Sequence, residues 1–168
     1  MTDAELLAAI ADGQVHALQQ LHQRHAAWLT VRLSQRISDA TLVDEAVQDT
    51  FVVVWRKAHQ FRGEGDVGAW LWGIAIRRGI DRLRSIRLPR LDRPQVVVSA
   101  EETVLAGIGY GALGQAMERL SPELMAVVQA RILDGLSTRE AAHLLGIPTG
   151  TVKTRLMKAK QIMREQLA

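Results

Sequence analysis

No cysteine occurs in this chain, which excludes disulfides and thiolate-ligated metal. Although 48% of the residues are hydrophobic, no uninterrupted apolar run approaches the ~20 residues needed to cross a bilayer. The N-terminal stretch MTDAELLAAIADGQ is acidic and carries no positive leader, so no secretory signal is expected and a cytoplasmic protein is the economical reading. Period-two alternation is missing apart from residues 95–99, QVVVS, which are too few to anchor a sheet. No nucleophile–base pair stands out. The GEGDVG stretch lacks the Lys-Ser/Thr of a phosphate loop and has no strand before it. Of His16, His22, His25, His59 and His143, only His22 and His25 share helical ligand spacing, with no partner carboxylate or cysteine pattern nearby. An enzyme is therefore not expected, nor is a metal or cofactor.

What is present is charge in blocks. The 168 residues carry a net +3, enough chain for one ordinary domain or two small ones. Residues 1–55 hold three basic and seven acidic groups, and residues 56–94 hold ten basic and four acidic. Residues 95–130 are acidic again, and residues 131–168 return to a net +4. Two positive segments separated by an acidic spacer suggest two contacts with a polyanion, while the acidic N-terminal part faces something else.

The periodicity is helical throughout. A first helix is predicted over residues 15–37, with Leu18, Leu21, His25 and Leu29 on one face. Ser38 or Asp39 caps a second, reaching about His59, whose apolar face is Val43, Val47, Phe51, Val54 and Ala58. Residues 61–68 contain three glycines and read as a loop. A third helix resumes at Ala69, with Leu71, Ile74, Ala75 and Ile80 inward and Arg77, Arg78, Arg82 and Arg84 outward. Periodicity then lapses over residues 89–114, a linker rich in glycine. The predicted fold is all-α, with two small helical domains, residues 1–88 and 115–168, joined by that tether.

Residues 135–160, GLSTREAAHLLGIPTGTVKTRLMKAK, read as a helix–turn–helix. Ser137 and Glu140 form a capping box, Gly146 stops the first helix, and Thr149 can cap the second. Val152, Leu156, Ala159 and Met163 make an inner face, opposite Thr151, Lys153, Thr154, Arg155, Lys158 and Lys160. Short hydroxyls among long cations suit a helix in a DNA major groove. The plainer alternative is a helical hairpin with a solvated lysine face, but caps, turn glycine, length and basic face agree on DNA.

LVDEAVQDTFVVVWRKAHQFRGEGDVGAWLWGIAIRRGIDRLR resembles region 2 of bacterial RNA polymerase sigma factors of the extracytoplasmic-function group. LSPELMAVVQARILDGLSTREAAHLLGIPTGTVKTRLMKAKQIMREQL resembles their region 4, in the family's order and with no region 3 between. The resemblance implies a protein that binds core RNA polymerase and recognises promoter elements near −35 and −10. It implies that Asp44, Glu45, Gln48 and Asp49, with Trp55 nearby, dock on a coiled coil of the largest polymerase subunit. The loop residues Phe61, Gly63, Glu64, Gly65 and Asp66 would hold a flipped base of the −10 element, with Trp72 exposed for stacking and Trp70 in the core. Arg77 would also act there, and Arg78 and Arg82 would meet phosphates. At −35 the implied contacts are Thr138, Thr151, Lys153, Thr154, Arg155, Met157 and Lys158.

Two departures leave the −10 preference open: family members often carry Asn where this chain has Arg77, and an aromatic residue where it has Val67. The resemblance also implies a contact between region 4 and the polymerase flap, and control by an anti-sigma factor. Since region 4 runs almost to Ala168, no further C-terminal regulatory domain is expected. The rival reading is a stand-alone regulator whose N-terminal helices dimerise or sense a ligand, which would have no use for the basic helix near residues 77–87.

Overall fold

The computed structural model describes residues 1–86 and 112–167, and the chain divides into two compact units between Leu88 and Pro89. Among the described residues there is no strand. Residues 87–111, including QVVVS and most of the predicted linker, lie outside the described part.

The first unit opens with a helix that the periodicity reading missed, α1 (Asp3–Ala11). Thr2 and Glu5 close a capping box at its start, with Thr2 N donating to Glu5 at 2.6 Å. Leu6, Leu7 and Ile10 are buried beneath it, so tertiary packing sustains a helix too short to stand alone. Gly13, at φ +82°, turns the chain into α2 (Val15–Ser34). That helix ends three residues before the predicted position. The amides of Arg36 and Ile37 both fold back onto the Leu33 carbonyl, leaving Asp39 to cap the next helix.

Asp39 Oδ1 accepts from Thr41 N at 2.9 Å and Leu42 N at 3.2 Å, starting α3 (Ala40–Lys57). Val43, Val47, Phe51, Val54 and Ala58 are all buried, as their spacing predicts. A 3₁₀ turn (Ala58–Gln60) and the glycine loop lead to α4 (Val67–Ile86). This helix starts two residues early because Asp66 caps it, its Oδ1 accepting from Ala69 N at 3.0 Å. Leu71, Ala75, Ile76 and Ile80 go fully inward, whereas Ile74 is only half-buried. Gly79 permits close approach to α2: a Cβ there would lie 2.6 Å from Ile37 Cδ1 and 3.5 Å from Leu33 Cδ2.

The two ends of this unit's N-terminal hairpin are clasped by charge. Arg24 Nη1 donates to Asp3 Oδ1 at 2.7 Å, and His25 Nε2 lies 2.6 Å from Asp3 Oδ2. His22 instead packs its ring on Phe51 with centroids 4.6 Å apart, so the two histidines at ligand spacing take different partners.

The second unit contains α5 (Ala112–Glu118), α6 (Pro122–Val128), α7 (Thr138–Leu145) and α8 (Thr149–Leu167). Residues 112–114, assigned to the linker from their glycine content, belong to α5. The burial of Ala116 and Met117 against Leu120, Leu124, Ala159 and Met163 outweighs the loss from Gly114. Ser121 caps α6 and Pro122 occupies its first position, as expected. After Val128 the helix widens into a π turn (Gln129–Leu133) with no evident sequence signal. Of the inner face predicted for α8, Val152, Ala159 and Met163 are buried, while Leu156 is only half-buried.

Two predictions follow from these contacts. Gly79→Val should destabilise the first unit by about 1–3 kcal/mol through overpacking against Ile37, seen as a lower midpoint in urea unfolding. Burial alone would raise the Asp3 carboxyl, but hydrogen bonds from Arg24 and His25 outweigh it and hold the group below its ordinary 3.8. With the folded value depressed, the clasp's contribution is full above 3.8 and lost as pH falls through the lower value. Asp3→Asn should flatten that part of the acid limb when unfolding is followed from neutral to acid pH.

Candidate nucleic-acid interface

The turn of the helix–turn–helix is built by the capping box and one left-handed residue. Ser137 N donates to Glu140 Oε1 at 3.0 Å, and Glu140 N donates to Ser137 Oγ at 3.1 Å. Gly146 adopts φ +65°, and Ile147 N returns to the Ala142 carbonyl at 3.1 Å. Thr149 is the first residue of α8 rather than its cap; the first backbone bond runs from Val152 N to the Pro148 carbonyl.

The outer face of α8 carries what a groove-binding helix needs. Lys153, Thr154, Met157 and Lys158 are exposed, Met157 at 68%, and Thr151, Arg155 and Thr138 are half-buried. Thr154 spends its hydroxyl proton on the Gly150 carbonyl at 3.0 Å, so toward a base it is an acceptor. A shallow groove of about 690 Å³ runs from Glu123 to Thr151, Thr154, Arg155 and Lys158. The Glu123 carboxyl is lowered by its own backbone N–H, by Ser121 and by the nearby charge of Arg155. Arg155 shares that groove with Glu123, and Lys153, Lys158 and Lys160 are exposed.

In the first unit, the acidic face of α3 divides into two. Asp44 and Gln48 are exposed and lie on a line with Val52 and Trp55, which is 38% exposed. Beside them, Val15, Leu18 and His22 of α2 complete an apolar groove of about 510 Å³. Glu45 and Asp49 stand on the other flank, facing α4. There Arg82 Nε and Nη2 donate to the two Asp49 carboxylate oxygens at 2.7 and 2.9 Å, and Nη1 donates to Glu45 at 3.1 Å. The Asp49 hydrogen bond holds the Arg82 guanidinium more firmly protonated than usual. Arg82 was expected on phosphate and is instead the bridge between two helices, because position 82 falls on the flank of α4 that meets α3.

Trp72 also departs from expectation. It is 3% exposed, with the Arg32 guanidinium 4.3 Å and that of Arg36 5.8 Å from its ring centroid. It shares a helix face with the buried Ala75, Ile76 and Gly79, so no base can stack on it. Trp70, assigned to the core, is the half-exposed one, edge-to-face with half-buried Phe61 at 5.6 Å. The burial of the two tryptophans is the reverse of that expected.

Trp70 lines a groove of about 610 Å³ between α3 and α4. Gly73, Ile74 and Arg77 continue its α4 wall, and Val53, Arg56 and Lys57 form the opposite one. Arg78 reaches the rim while paired with Asp81 at 3.0 Å. Lys57 was not singled out from the sequence, and Arg56 was read only as part of the polar face of the second helix, although the two close the apolar run of α3 as a cationic pair. Gly63, Glu64, Gly65 and Asp66 are all exposed in the preceding loop, with Gly63 and Gly65 at φ +74° and +92°. Asp66 is engaged as the cap of α4.

A surface combining a grooved aromatic with cations, and a separate helix presenting lysines, suits contact with nucleic acid at two places. Lys158→Ala should weaken binding to duplexes of any sequence and reduce the slope of log affinity against log salt by about one. Met157→Ala should leave that slope unchanged and alter sequence preference, as read by titrations on matched and mismatched duplexes.

The Sigma-70 region 2 family matches residues 20–88, and the Sigma-70 region 4 family matches residues 110–163. The ECF RNA polymerase sigma factor SigM of Mycobacterium tuberculosis is 35% identical, over 95% of this chain and 81% of its own. The ECF RNA polymerase sigma factor RpoE of Cereibacter sphaeroides is 30% identical, over 97% of this chain and 93% of its own. Among solved structures, SigE of Rhodobacter sphaeroides in complex with the anti-sigma ChrR is 29% identical, covering 96% of this chain and 94% of that one, with a TM-score of 0.46. Both sigma-70 regions in order, and relatives aligned over nearly the whole chain, make this protein a member of the ECF sigma factors of the sigma-70 family.

Proposed function

We propose that the two units divide promoter recognition as the family's regions do. The first unit binds core RNA polymerase and reads and melts the −10 element; the second reads the −35 element through α8. The observation that carries this is the separation of surfaces on the first unit. Asp44, Gln48, Val52 and Trp55 form one exposed line beside an apolar groove, whereas Trp70, Arg77 and Lys57 line a different, cationic groove, with Arg56 at the border of the two. An acidic and aromatic strip suits a basic protein surface, while the groove suits a polyanion. A chain of this kind acts as a transcription initiation factor rather than an enzyme, in the cytoplasm where the polymerase is. No described helix is long and apolar enough to cross a membrane.

Two modules on one chain gain from effective concentration, so each can bind its own element weakly. The polymerase contributes by holding them over sites at promoter spacing, with the flap touching the second unit. An anti-sigma factor would act by denying the polymerase these surfaces.

The test is protection of a promoter by purified chain with and without purified core polymerase. Two protected blocks and strand opening near the start site only when polymerase is present support the reading. Tight palindromic binding by the chain alone would instead identify a stand-alone regulator. For the docking strip, Trp55→Ala and Asp44→Lys should each weaken holoenzyme formation roughly tenfold or more without lowering the unfolding midpoint. Glu45 and Asp49 are poor choices for that experiment, since charge reversal there would break the Arg82 bridge.

A further inference from the structure

We propose that Gly150 is a positioning residue for the −35 contact: it leaves the middle of the outer face of α8 without a side chain, so that the helix seats against the floor of the DNA major groove. The inference rests on the reading of α8 as the −35 helix, and adds what sets its depth.

The fold gives this glycine no internal reason. Gly150 is the second residue of α8 and lacks the positive φ of Gly135 and Gly146, so alanine would adopt its backbone without strain. Three other helical glycines each have a close neighbour. A Cβ on Gly79 would lie 2.6 Å from Ile37 Cδ1, one on Gly68 2.9 Å from Asp66 Oδ1, and one on Gly73 3.3 Å from Arg77 Nη1. Beyond its own helix backbone, a Cβ on Gly150 would meet nothing within 4 Å among the described residues. Glycine weakens a helix relative to alanine, and at this position no packing inside the unit offsets that loss.

Its place on the helix supplies an external reason. At about 3.6 residues per turn, Gly150 stands opposite the buried Val152, Ala159 and Met163 that seat α8. Thr154 and Met157 share the middle of the exposed face with it, and Lys153 and Lys158 stand on the two flanks. Thr154 Oγ1 donates to the Gly150 carbonyl at 3.0 Å, which folds that side chain back over the preceding turn. The leading end of α8 is therefore low at its centre and cationic at its sides. The N-terminal residues of a recognition helix are the ones that reach base edges. A low centre lets those edges come up to the backbone while the lysines reach the phosphates on either wall. A side chain at position 150 would meet the groove floor first and hold Thr154 and Met157 off their bases.

The experiment uses the full chain bound to purified core polymerase, with core polymerase alone as background. The probe is a promoter duplex selected from randomised DNA by the unaltered holoenzyme, compared with the same duplex scrambled over its upstream protected block. Gly150→Ala should leave the unfolding midpoint of the free chain unchanged or raise it, because alanine is the better helix former. It should nonetheless lower the preference for the selected over the scrambled duplex roughly tenfold, on the order of one lost base-pair contact. Gly150→Gln should lower that preference further. No cation is removed, so the slope of log affinity against log salt on the scrambled duplex should stay as it is. A loss of preference that comes only with a lower midpoint overturns the proposal, since a merely structural glycine would show that. If the unaltered holoenzyme discriminates and the glycine variants discriminate equally well, this inference fails alone. If the unaltered holoenzyme never discriminates between the two duplexes, the −35 reading fails and takes this one with it.

Discussion

The packing of α3 against α4 is the constraint on which the first unit depends. Each helix must bury one stripe and still present another to a large partner. Arg82 bridges the two helices at the rotation that this packing sets, its guanidinium spanning Asp49 and Glu45 at the half-exposed edge of the contact. That rotation places Asp44, Gln48 and Trp55 on one side and Trp70, Gly73 and Arg77 on another. Two carboxylates are thereby paired within the unit rather than left to its outer surface. An outward Arg82 would have left two unpaired acids on the face of α3 that leads to the groove proposed for a polyanion, where like charge costs binding.

The buried side of α4 is unusual in being cationic as well as apolar. Trp72 lies under the guanidinium groups of Arg32 and Arg36, with Trp28 edge-on at 6.4 Å. Cation–π contact lets Arg32 of α2, and Arg36 just beyond that helix, sit against an interior face without exposing the indole to solvent. Gly79 draws the same helix close to Ile37 and Leu33. These contacts anchor the side of α4 that does not face the groove.

In the second unit, rigidity comes from backbone chemistry more than from bulk. The Ser137–Glu140 box and left-handed Gly146 set the path between α7 and α8. Val152, Ala159 and Met163 then seat α8 on the rest of that unit. With the helix seated, its outward residues can be long and mobile, which suits the proposed roles of its lysines at phosphates and of Met157 at base edges. Arg155, half-buried and lining a groove with Glu123, sits at the edge between that outward face and α6.

Local rules sufficed for much of this. Asp39, Ser121 and Ser137 announce their helices by side-chain capping, and Val43, Val47, Phe51 and Val54 fall inward by spacing alone. The lysine-bearing face of α8 was legible for the same reason, since a helix whose inner stripe is known has its outer one decided too. Family resemblance supplied the polymerase and the two promoter elements, which no periodicity could. Tertiary structure decided the rest. α1 is too short to be read without the core that Leu6, Leu7 and Ile10 enter, and the π turn at Gln129–Leu133 has no local cause. The reversed burial of Trp70 and Trp72, and the capture of Arg82 by Asp49 and Glu45, depend on which side of α4 meets α3. A sequence period places residues on the same stripe, but only the neighbouring helix determines which stripe is covered and which cation finds a carboxylate.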